Sequence, residues 1–461
     1  NSFIRRIALA VNFGEFNLFG SSLITKDSQI LLQRDVRSRV AKIAPFLHLD
    51  ADPYAVVVNG QVKWVVDAFT TTNRYPYAET ANTSQLTAGS GLNHSFNYVR
   101  NSVKAVVDAY TGKVTLYLMD TKDPIALMWN AAYPDLFAKK STVPAELSAH
   151  FRYPEDLFRV QTNMFGRYQF DDATLFFNRD AAWSVAQAPA NAPETGGTSG
   201  LVGTSATGIA PVDSINATDS SVARFSPYFS IFHEPNAKTD IGQFSMVRPF
   251  VPFSADDSRK ELRSLMVVSS EPKTYGKMTV YDIKAPLPAG PATVSAQFES
   301  EPAISQTITP LDQRGSRVTY GDLQLVPVGK GLVYIRPMFV QPDGNDKQVF
   351  VRKILAGYGD RSVIGDSLTS VISQLFPGFN VNLGDRVGGS SSSPTTTIAG
   401  SPVTVAPTVG TTPAELLRQA ESLFAQADAA LAKSPPDFAM YQSKLSQARG
   451  LVQQALATVK G

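Results

Sequence analysis

The chain has 461 residues, of which 43% are hydrophobic and 18% are charged, so it has enough apolar surface to fold and is not a disordered chain. A formal net charge of +2, without any dense basic run, gives no electrostatic footprint for nucleic-acid binding. The absence of cysteine excludes disulfides, thiolate nucleophiles and zinc–thiolate sites, and no apolar stretch reaches the ~18 residues that would span a bilayer.

The first 49 residues have a helical pattern. The stretch FIRRIALAVNFGEFNLFG (residues 3–20) mixes apolar side chains with Arg5, Arg6 and Glu15, which is typical of an amphipathic helix. A second helix is predicted after it, because apolar residues recur there at helical spacing: Ile30, Leu31, Val36, Val40 and Ile43.

Two β-hairpins are predicted next. YAVVVNGQVKWVVDAF (residues 54–69) is two apolar or alternating runs joined by Asn59-Gly60, a strong hairpin signal. SVKAVVDAYTGKVTLYLMD (residues 102–120) repeats the arrangement around Thr111-Gly112. The shared Val-Val-Asp-aromatic pattern indicates that one structural unit occurs twice.

The pattern returns to helix between residues 123 and 183. In YPEDLFRVQTNMFGRY (residues 153–168), Pro154 suits a first helical position, and Glu155 and Asp156 suit the positive end of the helix dipole. Four apolar residues on one face predict a core contact: Leu157, Val160, Met164 and Tyr168.

The composition then changes abruptly. Residues 186–223 contain no aromatic residue, Lys or Arg, and we expect a flexible insertion there. Strands dominate from residue 224 to 387, with a helix predicted at SADDSRKELRSLMVV (residues 254–268), where Ser254 and Asp257 have the spacing of a capping box.

The C-terminal part is predicted to be a linker followed by a helical hairpin. Residues 388–412 are rich in Pro, Thr and Ser, and residues 413–461 contain two apolar stripes at helical spacing, separated by Pro435-Pro436. Two short helices cannot bury both stripes against each other, so we expect the hairpin to dock on the main body, on another subunit to form a homo-oligomer, or on an envelope protein partner.

The fold class is therefore predicted to be α+β, with mixed or antiparallel sheet hairpins, packed helices and a C-terminal helical hairpin. Residues 1–185 and 224–387 are expected to be the N-terminal and β-rich parts of one domain, divided by the insertion at 186–223. The linker and the tail hairpin follow as separate units.

Asp67 and Asp108 are the first candidates for chemistry, because neighbouring hairpins could bring two carboxylates together as general acid and base. The alternative is that each aspartate ends a valine-rich strand and orients the following turn. Duplicated structure is the simpler account of the two residues.

A metal site has no local sequence support. The four histidines lack the spacing of metal ligands: His48, His94, His150 and His233. DTKDP (Asp120 to Pro124) could supply two carboxylates to calcium, but a polar turn before a helix is favoured.

The aromatic content of 27 Phe, 16 Tyr and 3 Trp raises the possibility of a lipid or glycan groove. Two Arg-Tyr-Pro triplets, at Arg74 to Pro76 and Arg152 to Pro154, could place a cation and a ring beside such a groove. The competing interpretation is that the rings are core residues and that Tyr-Pro restricts the backbone.

Several stretches, including YAVVVNGQVKWVVDAFTTTNRYPYAE (54–79), NYVRNSVKAVVDAYTGKVTLYLMDTKDP (97–124) and HFRYPEDLFRVQTNMFGRY (150–168), resemble the uncharacterised protein family 0182. The resemblance covers most of residues 1–376, with 186–223 as a variable insertion. Members of that family are large actinobacterial and cyanobacterial multi-pass membrane proteins with an N-terminal transmembrane bundle and an extracytoplasmic region.

The resemblance implies that this chain is the extracytoplasmic region, at the cell membrane and next to its own transmembrane bundle. It supplies no catalytic, cofactor-binding or metal residues, and no cofactor is expected. The predicted function is a non-catalytic scaffold, accessory or gating module. The alternatives are a lipid- or glycan-binding or transport-linked module, and a metal-assisted hydrolase using Asp67, Asp108 and a histidine.

Overall fold

The computed structural model describes residues 3–17, 28, 33–169, 171–179, 181–190, 223–235, 242–312, 316–328, 331–342, 350–379 and 383, together with isolated positions between 418 and 448. The chain divides into two compact units, Asn1–Ser391 and Ser392–Gly461. Every strand and helix whose bounds are given below lies in the first unit. The linker at 388–412, nearly all of the tail hairpin at 413–461, and residues 191–222 of the predicted insertion lie outside the described residues.

The fold class is α+β, as predicted. The α-helices with described bounds are α1 Phe3–Phe13, α2 Val36–Ile43, α3 Pro124–Ala132, α4 Ala145–Ala149, α5 Glu155–Tyr168, α6 Ala173–Asn178, α7 Pro291–Ser300, α8 Pro302–Ile308 and α9 Leu368–Leu375. In the same described part of the chain, no helix is both long enough and apolar enough to cross a bilayer.

The strands form three sheets. The first contains β1 His48–Leu49, β2 Tyr54–Val58, β3 Gln61–Thr72, β4 Tyr98–Asp108, β5 Val114–Leu118 and β6 Phe137–Lys139. The second contains β7 Trp183–Val185, β8 Tyr228–Phe232, β9 Gln243–Pro252, β10 Ser264–Ser269 and β11 Met278–Asp282. The third contains β12 Ser316–Tyr320, β13 Gln324–Val328, β14 Gly331–Pro342, β15 Phe350–Tyr358 and β16 Arg361–Gly365.

Both predicted hairpins are confirmed, and they lie side by side in the first sheet. β2 pairs with β3 across Asn59 and Gly60, whose φ angles of 51° and 73° suit a two-residue hairpin turn. β4 pairs with β5 and also with β3, so the sheet order is β1-β3-β4-β5-β6 with β2 on the outer side of β3. Only the β5–β6 contact of this sheet is parallel among the described strands.

Four apolar clusters hold the first unit together. The two faces of the first sheet are covered separately, one by α2 and α3 and the other by α4 and the loop after it. α5 packs between the first and second sheets within the largest cluster, which extends to the third sheet and includes Phe158, Phe250 and Met338. α9 covers part of the third sheet through Val371 and Leu375.

α5 is buried on more than the predicted face. Leu157 and Val160 are buried as expected, but Tyr168 is 50% exposed. The polar residues Asp156, Arg159 and Asn163 are also buried, because the helix is enclosed by both sheets rather than resting on one surface.

The helix predicted at residues 254–268 is wrong. Residues 264–269 form β10, whose side chains are buried on both faces between β9 and β11. The preceding residues form a turn in which Asp257 has a φ of 54° and accepts a hydrogen bond from Arg224. The central position of β10 in the second sheet overrides the local helical preference.

The two segments that flank residues 191–222 pair with each other. We call this pairing the clasp and define it as Ala186, Gln187 and Ala188 together with Ala223, Arg224 and Phe225. The amides of Phe225 and Ala188 donate to the carbonyls of Ala186 and Ala223, both at 2.8 Å, around a bridge between Gln187 and Arg224. Arg224 is paired with Asp257 at 2.8 Å. The first residues of the predicted insertion are therefore part of the folded body.

Candidate ligand pocket

The first and second sheets meet α5 at a small cavity, which we call the acid pocket. It is open to solvent, has a free volume of about 10 Å³, and is lined by Asp50, Asp52, Tyr54, Asp67, Arg152, Tyr153, Pro154, Glu155 and Phe229. Four of these nine residues are acidic.

The end of β1 positions the first two carboxylates. The amide of Asp50 donates to the carbonyl of Asp67 in β3 at 2.9 Å, which continues the β1–β3 pairing by one residue. The Oδ1 atom of Asp50 accepts the amide of Asp52 at 3.0 Å, a local turn that Asp side chains commonly form.

The start of α5 supplies the opposite wall. Asp156 Oδ2 accepts the amide of Ala51 at 3.1 Å and so ties the helix to the end of β1. Glu155 is bonded to Arg159 one turn later at 2.6 Å. Both acids lie in the first helical turn, where the helix dipole favours negative charge.

The residues before α5 complete the pocket. The guanidinium carbon of Arg152 lies 4.7 Å from the ring centre of Tyr54 and 5.6 Å from that of Phe229. The Arg152 carbonyl accepts hydrogen bonds from Lys104 Nζ at 2.7 Å and Tyr275 Oη at 2.9 Å. This segment is therefore fixed by both sheets.

Burial governs the ionisation of the pocket. Removal from water, followed by repulsion from Asp156 and Asp67, raises the pKa of Asp50 well above its usual value. Burial also raises the pKa of Asp52 and of Glu155, and lowers the pKa of Lys104. The pocket disfavours the charged form of each of these groups.

Asp67 and Asp108, the predicted acid pair, are not brought together. Asp67 is buried and forms an ion pair with Lys104 at 2.5 Å, whereas Asp108 is paired with Lys63. The antiparallel register makes these two pairs reciprocal, since Lys63 is opposite Asp108 and Asp67 is opposite Lys104. Asp108 also accepts the amides of Tyr110 and Thr111, so it orients the turn as the structural interpretation predicts.

The Asp120 to Pro124 segment forms a helix cap. Asp123 is fully buried, accepts the amides of Ile125 and Ala126, and accepts hydroxyl hydrogen bonds from Thr70, Tyr98 and Ser102. Asp120 is paired with Arg100 at 2.9 Å. Both acids are thus engaged by protein groups. Within the described residues, no three His, Cys, Asp or Glu side chains are arranged to hold a metal ion.

Two of the four histidines meet. The rings of His48 and His94 stack with centres 4.2 Å apart, and His94 Nε2 lies 3.0 Å from Thr71 Oγ1. Burial lowers the pKa of both rings. His150 caps the end of α4 and His233 follows β8, so neither joins this pair.

One of the two Arg-Tyr-Pro triplets belongs to the acid pocket. Arg152, Tyr153 and Pro154 line it, and Tyr153 also belongs to the largest apolar cluster, whereas Tyr75 of the other triplet stacks on Tyr98 elsewhere. A lipid or glycan groove at these residues stays a prediction. Sequence reasoning did not identify Asp50 or Asp52. Their only signal is the Asp-Ala-Asp-Pro stretch at residues 50–53, about 100 residues before the helix that completes the site.

Comparison with known proteins finds one family. The model of the uncharacterised protein family UPF0182 matches residues 1–311. UPF0182 proteins of Methanospirillum hungatei, Frankia casuarinae and Cupriavidus necator are 32%, 33% and 35% identical over 82%, 97% and 81% of this chain. The matches cover 38%, 43% and 37% of those relatives, so the chain spans about two fifths of their length. No solved structure matches.

Proposed function

This chain belongs to the uncharacterised protein family UPF0182, and from that premise we propose that it is the extracytoplasmic part of a multi-pass membrane protein, acting as a non-catalytic scaffold or accessory module. The proposal assigns the transmembrane bundle to the part of the relatives that lies outside the match, which is more than half of their length. It extends the family assignment to a location and a role.

The size of the acid pocket is the observation that carries the non-catalytic role. Sites that enclose a whole small-molecule substrate usually measure about 300–1,000 Å³, whereas the free volume of this pocket is about 10 Å³ and the pocket is open to solvent. It has room for a group about the size of one water molecule. The carboxylates of the first sheet, Asp67 and Asp108, are also held by lysines on the facing strand.

Helix α1 supports a position beside an apolar surface. Its exposed residues include Ile4 at 77% and Val11 at 71%, and Phe16 just after it is 78% exposed. Arg5 and Arg6 belong to the same helix. Apolar and basic residues on one short helix suit contact with a membrane or with a transmembrane bundle.

Thiol labelling of the full-length protein in intact cells tests the location. The chain contains no cysteine, so a cysteine introduced here is the only thiol of this region once any cysteine elsewhere is replaced. We expect Phe177→Cys, at a position that is 85% exposed, to react with a membrane-impermeant maleimide before lysis.

The matched control is Ser264→Cys, an isosteric change at a fully buried hydroxyl that has no hydrogen-bond partner in the described structure. It should react only after denaturation. Labelling of Phe177→Cys only after lysis would place the region inside the cell and refute the proposal.

We also propose that residues 413–461 mediate self-association or bind an envelope partner. The support is their two apolar stripes, which a two-helix hairpin cannot bury alone. Size-exclusion chromatography with light scattering should give an oligomer for the complete chain and a monomer after truncation at Gly410. Monomers in both cases would contradict self-association by this chain.

A further inference from the structure

The acid pocket has more carboxyl groups than cations to pair with them. Asp67 is paired with Lys104, and Glu155 is paired with Arg159. Arg152 is the remaining cation in the lining, and its charge lowers the pKa of Asp52 against the larger effect of burial. Asp50 has no ion-pair partner among the described residues.

One carboxylate oxygen at the pocket has no hydrogen-bond partner. Asp50 is 3% exposed, and its Oδ2 atom is buried without a donor in the described structure, although its Oδ1 atom accepts the amide of Asp52. Asp156 is 1% exposed, and its negative charge raises the pKa of Asp50. Its Oδ1 atom is also buried without a hydrogen-bond partner in the described structure. An unpaired buried polar atom usually costs about 1–3 kcal/mol, so two such atoms call for a donor.

The other walls of the pocket suit a cation. Tyr54, Tyr153 and Phe229 surround it, and two of these rings already contact the guanidinium of Arg152. Aromatic faces attract cations, and more strongly so where water is excluded. A second positive group can therefore lie between rings and carboxylates.

We propose that the acid pocket binds a primary ammonium group on a short alkyl chain, with Asp50 Oδ2 as the principal acceptor. An ammonium group carries three N–H donors that rotate to suit their acceptors. A divalent metal requires several oxygen ligands at about 2.0–2.6 Å in set geometry, and no group of that kind exists among the described residues. The free volume of about 10 Å³ is close to that needed for one water molecule, so the pocket admits the ammonium head while the alkyl chain extends into solvent.

This site does not depend on where the domain is located, so the ligand experiment and the thiol-labelling experiment can fail separately. Titration calorimetry of the complete chain with n-propylamine hydrochloride should give saturable binding at neutral pH. Propanol has the same chain without the charge, and tetramethylammonium has the charge without N–H donors. We expect both to bind at least tenfold more weakly.

Asp50→Asn keeps the size of the side chain and removes its charge, and we expect it to weaken propylammonium binding at least tenfold. Asp360→Asn, at an exposed turn position in the third sheet, should bind as the wild type does. Thermal unfolding establishes that each variant is folded. If Asp50→Asn does not fold, Asp52→Asn at an exposed position of the same pocket replaces it, with a smaller but clear loss expected.

Three results would overturn the proposal: no saturable binding of propylammonium, unchanged binding by the folded Asp50→Asn variant, or equal binding of propanol or tetramethylammonium. Calcium chloride that displaces propylammonium and binds more tightly would make the pocket a metal site instead. Binding of propylammonium without labelling of Phe177→Cys in intact cells would support the pocket and refute the extracytoplasmic location.

Discussion

At the scale of single residues, the first sheet offers two ion pairs of the same chemistry in different surroundings. Lys104 and Asp67 are 1% and 4% exposed, whereas Lys63 and Asp108 at the hairpin end are 21% and 18% exposed. Breaking a buried pair leaves a charge that neither water nor a partner solvates, so burial should decide the effect of each lysine.

We predict that Lys104→Met lowers the free energy of unfolding by about 3–5 kcal/mol, because Asp67 remains buried without its cation. Lys63→Met, the matched change on the neighbouring strand, should lower it by less than about 1 kcal/mol. Urea unfolding of both variants measures the difference. Equal effects would show that water reaches Asp67 and that the pair is not buried in solution.

Asp50 should make stability depend on pH. Because the pKa of Asp50 is raised in the folded state, the folded chain binds more protons than the unfolded chain between the usual carboxyl value of 3.8 and the raised value. The contribution of Asp50 to stability is therefore fully present below 3.8 and is lost as pH rises through the raised pKa.

Asp50→Asn removes this effect while leaving Asp52 and Glu155 in place. We expect the variant to be more stable than the wild type by about 1–3 kcal/mol at pH 8, with a smaller difference at pH 4. Denaturant unfolding across this pH range measures it. A variant that is less stable at pH 8 would mean that the Asp50 carboxylate already has a favourable partner.

At the scale of elements, one glycine sets the distance between α5 and β7. A Cβ atom added at Gly166 would lie 2.1 Å from the carbonyl oxygen of Trp183. Gly166→Ala would ordinarily favour a helix by about 1 kcal/mol. Here we predict the opposite effect: Gly166→Ala should lower the free energy of unfolding by about 2–4 kcal/mol, because the helix must move away from the strand.

Gly60→Ala separates this clash from backbone strain. Gly60 has a φ of 73°, and its added Cβ would meet nothing within 4 Å. Gly60→Ala should lower the free energy of unfolding by about 1–2 kcal/mol, because of the backbone conformation alone. Thermal unfolding of both variants distinguishes the two causes. A Gly166→Ala variant that is as stable as the wild type would show that α5 and β7 are not closely packed.

Local signals in the sequence were sufficient for some elements. Asn59-Gly60 and the alternating runs around it identify a hairpin because turn geometry and side-chain alternation are both local properties. The stretch at residues 254–268 shows the limit, since Ser254 and Asp257 have the spacing of a capping box but residues 264–269 form β10 between β9 and β11. Pairing partners that are distant in sequence decided that element.

At the scale of the whole molecule, the acid pocket could not be predicted, because its residues come from four separate stretches of the chain. Asp50 follows β1, Arg152 precedes α5, and Phe229 belongs to β8 in another sheet. The sequence identified Arg152 to Pro154 as a possible groove wall and assigned Glu155 and Asp156 only to a helix dipole. The missing information was which loops meet, and that depends on sheet packing.

The clasp at Gln187 and Arg224 has a consequence for how this domain can change over time. It holds both ends of residues 191–222 side by side, so the chain entropy lost on closing that segment grows only logarithmically with its length. Doubling the segment would cost about 0.6 kcal/mol. We therefore expect insertions between these two ends to be tolerated, and a foreign domain grafted here should leave the three sheets intact.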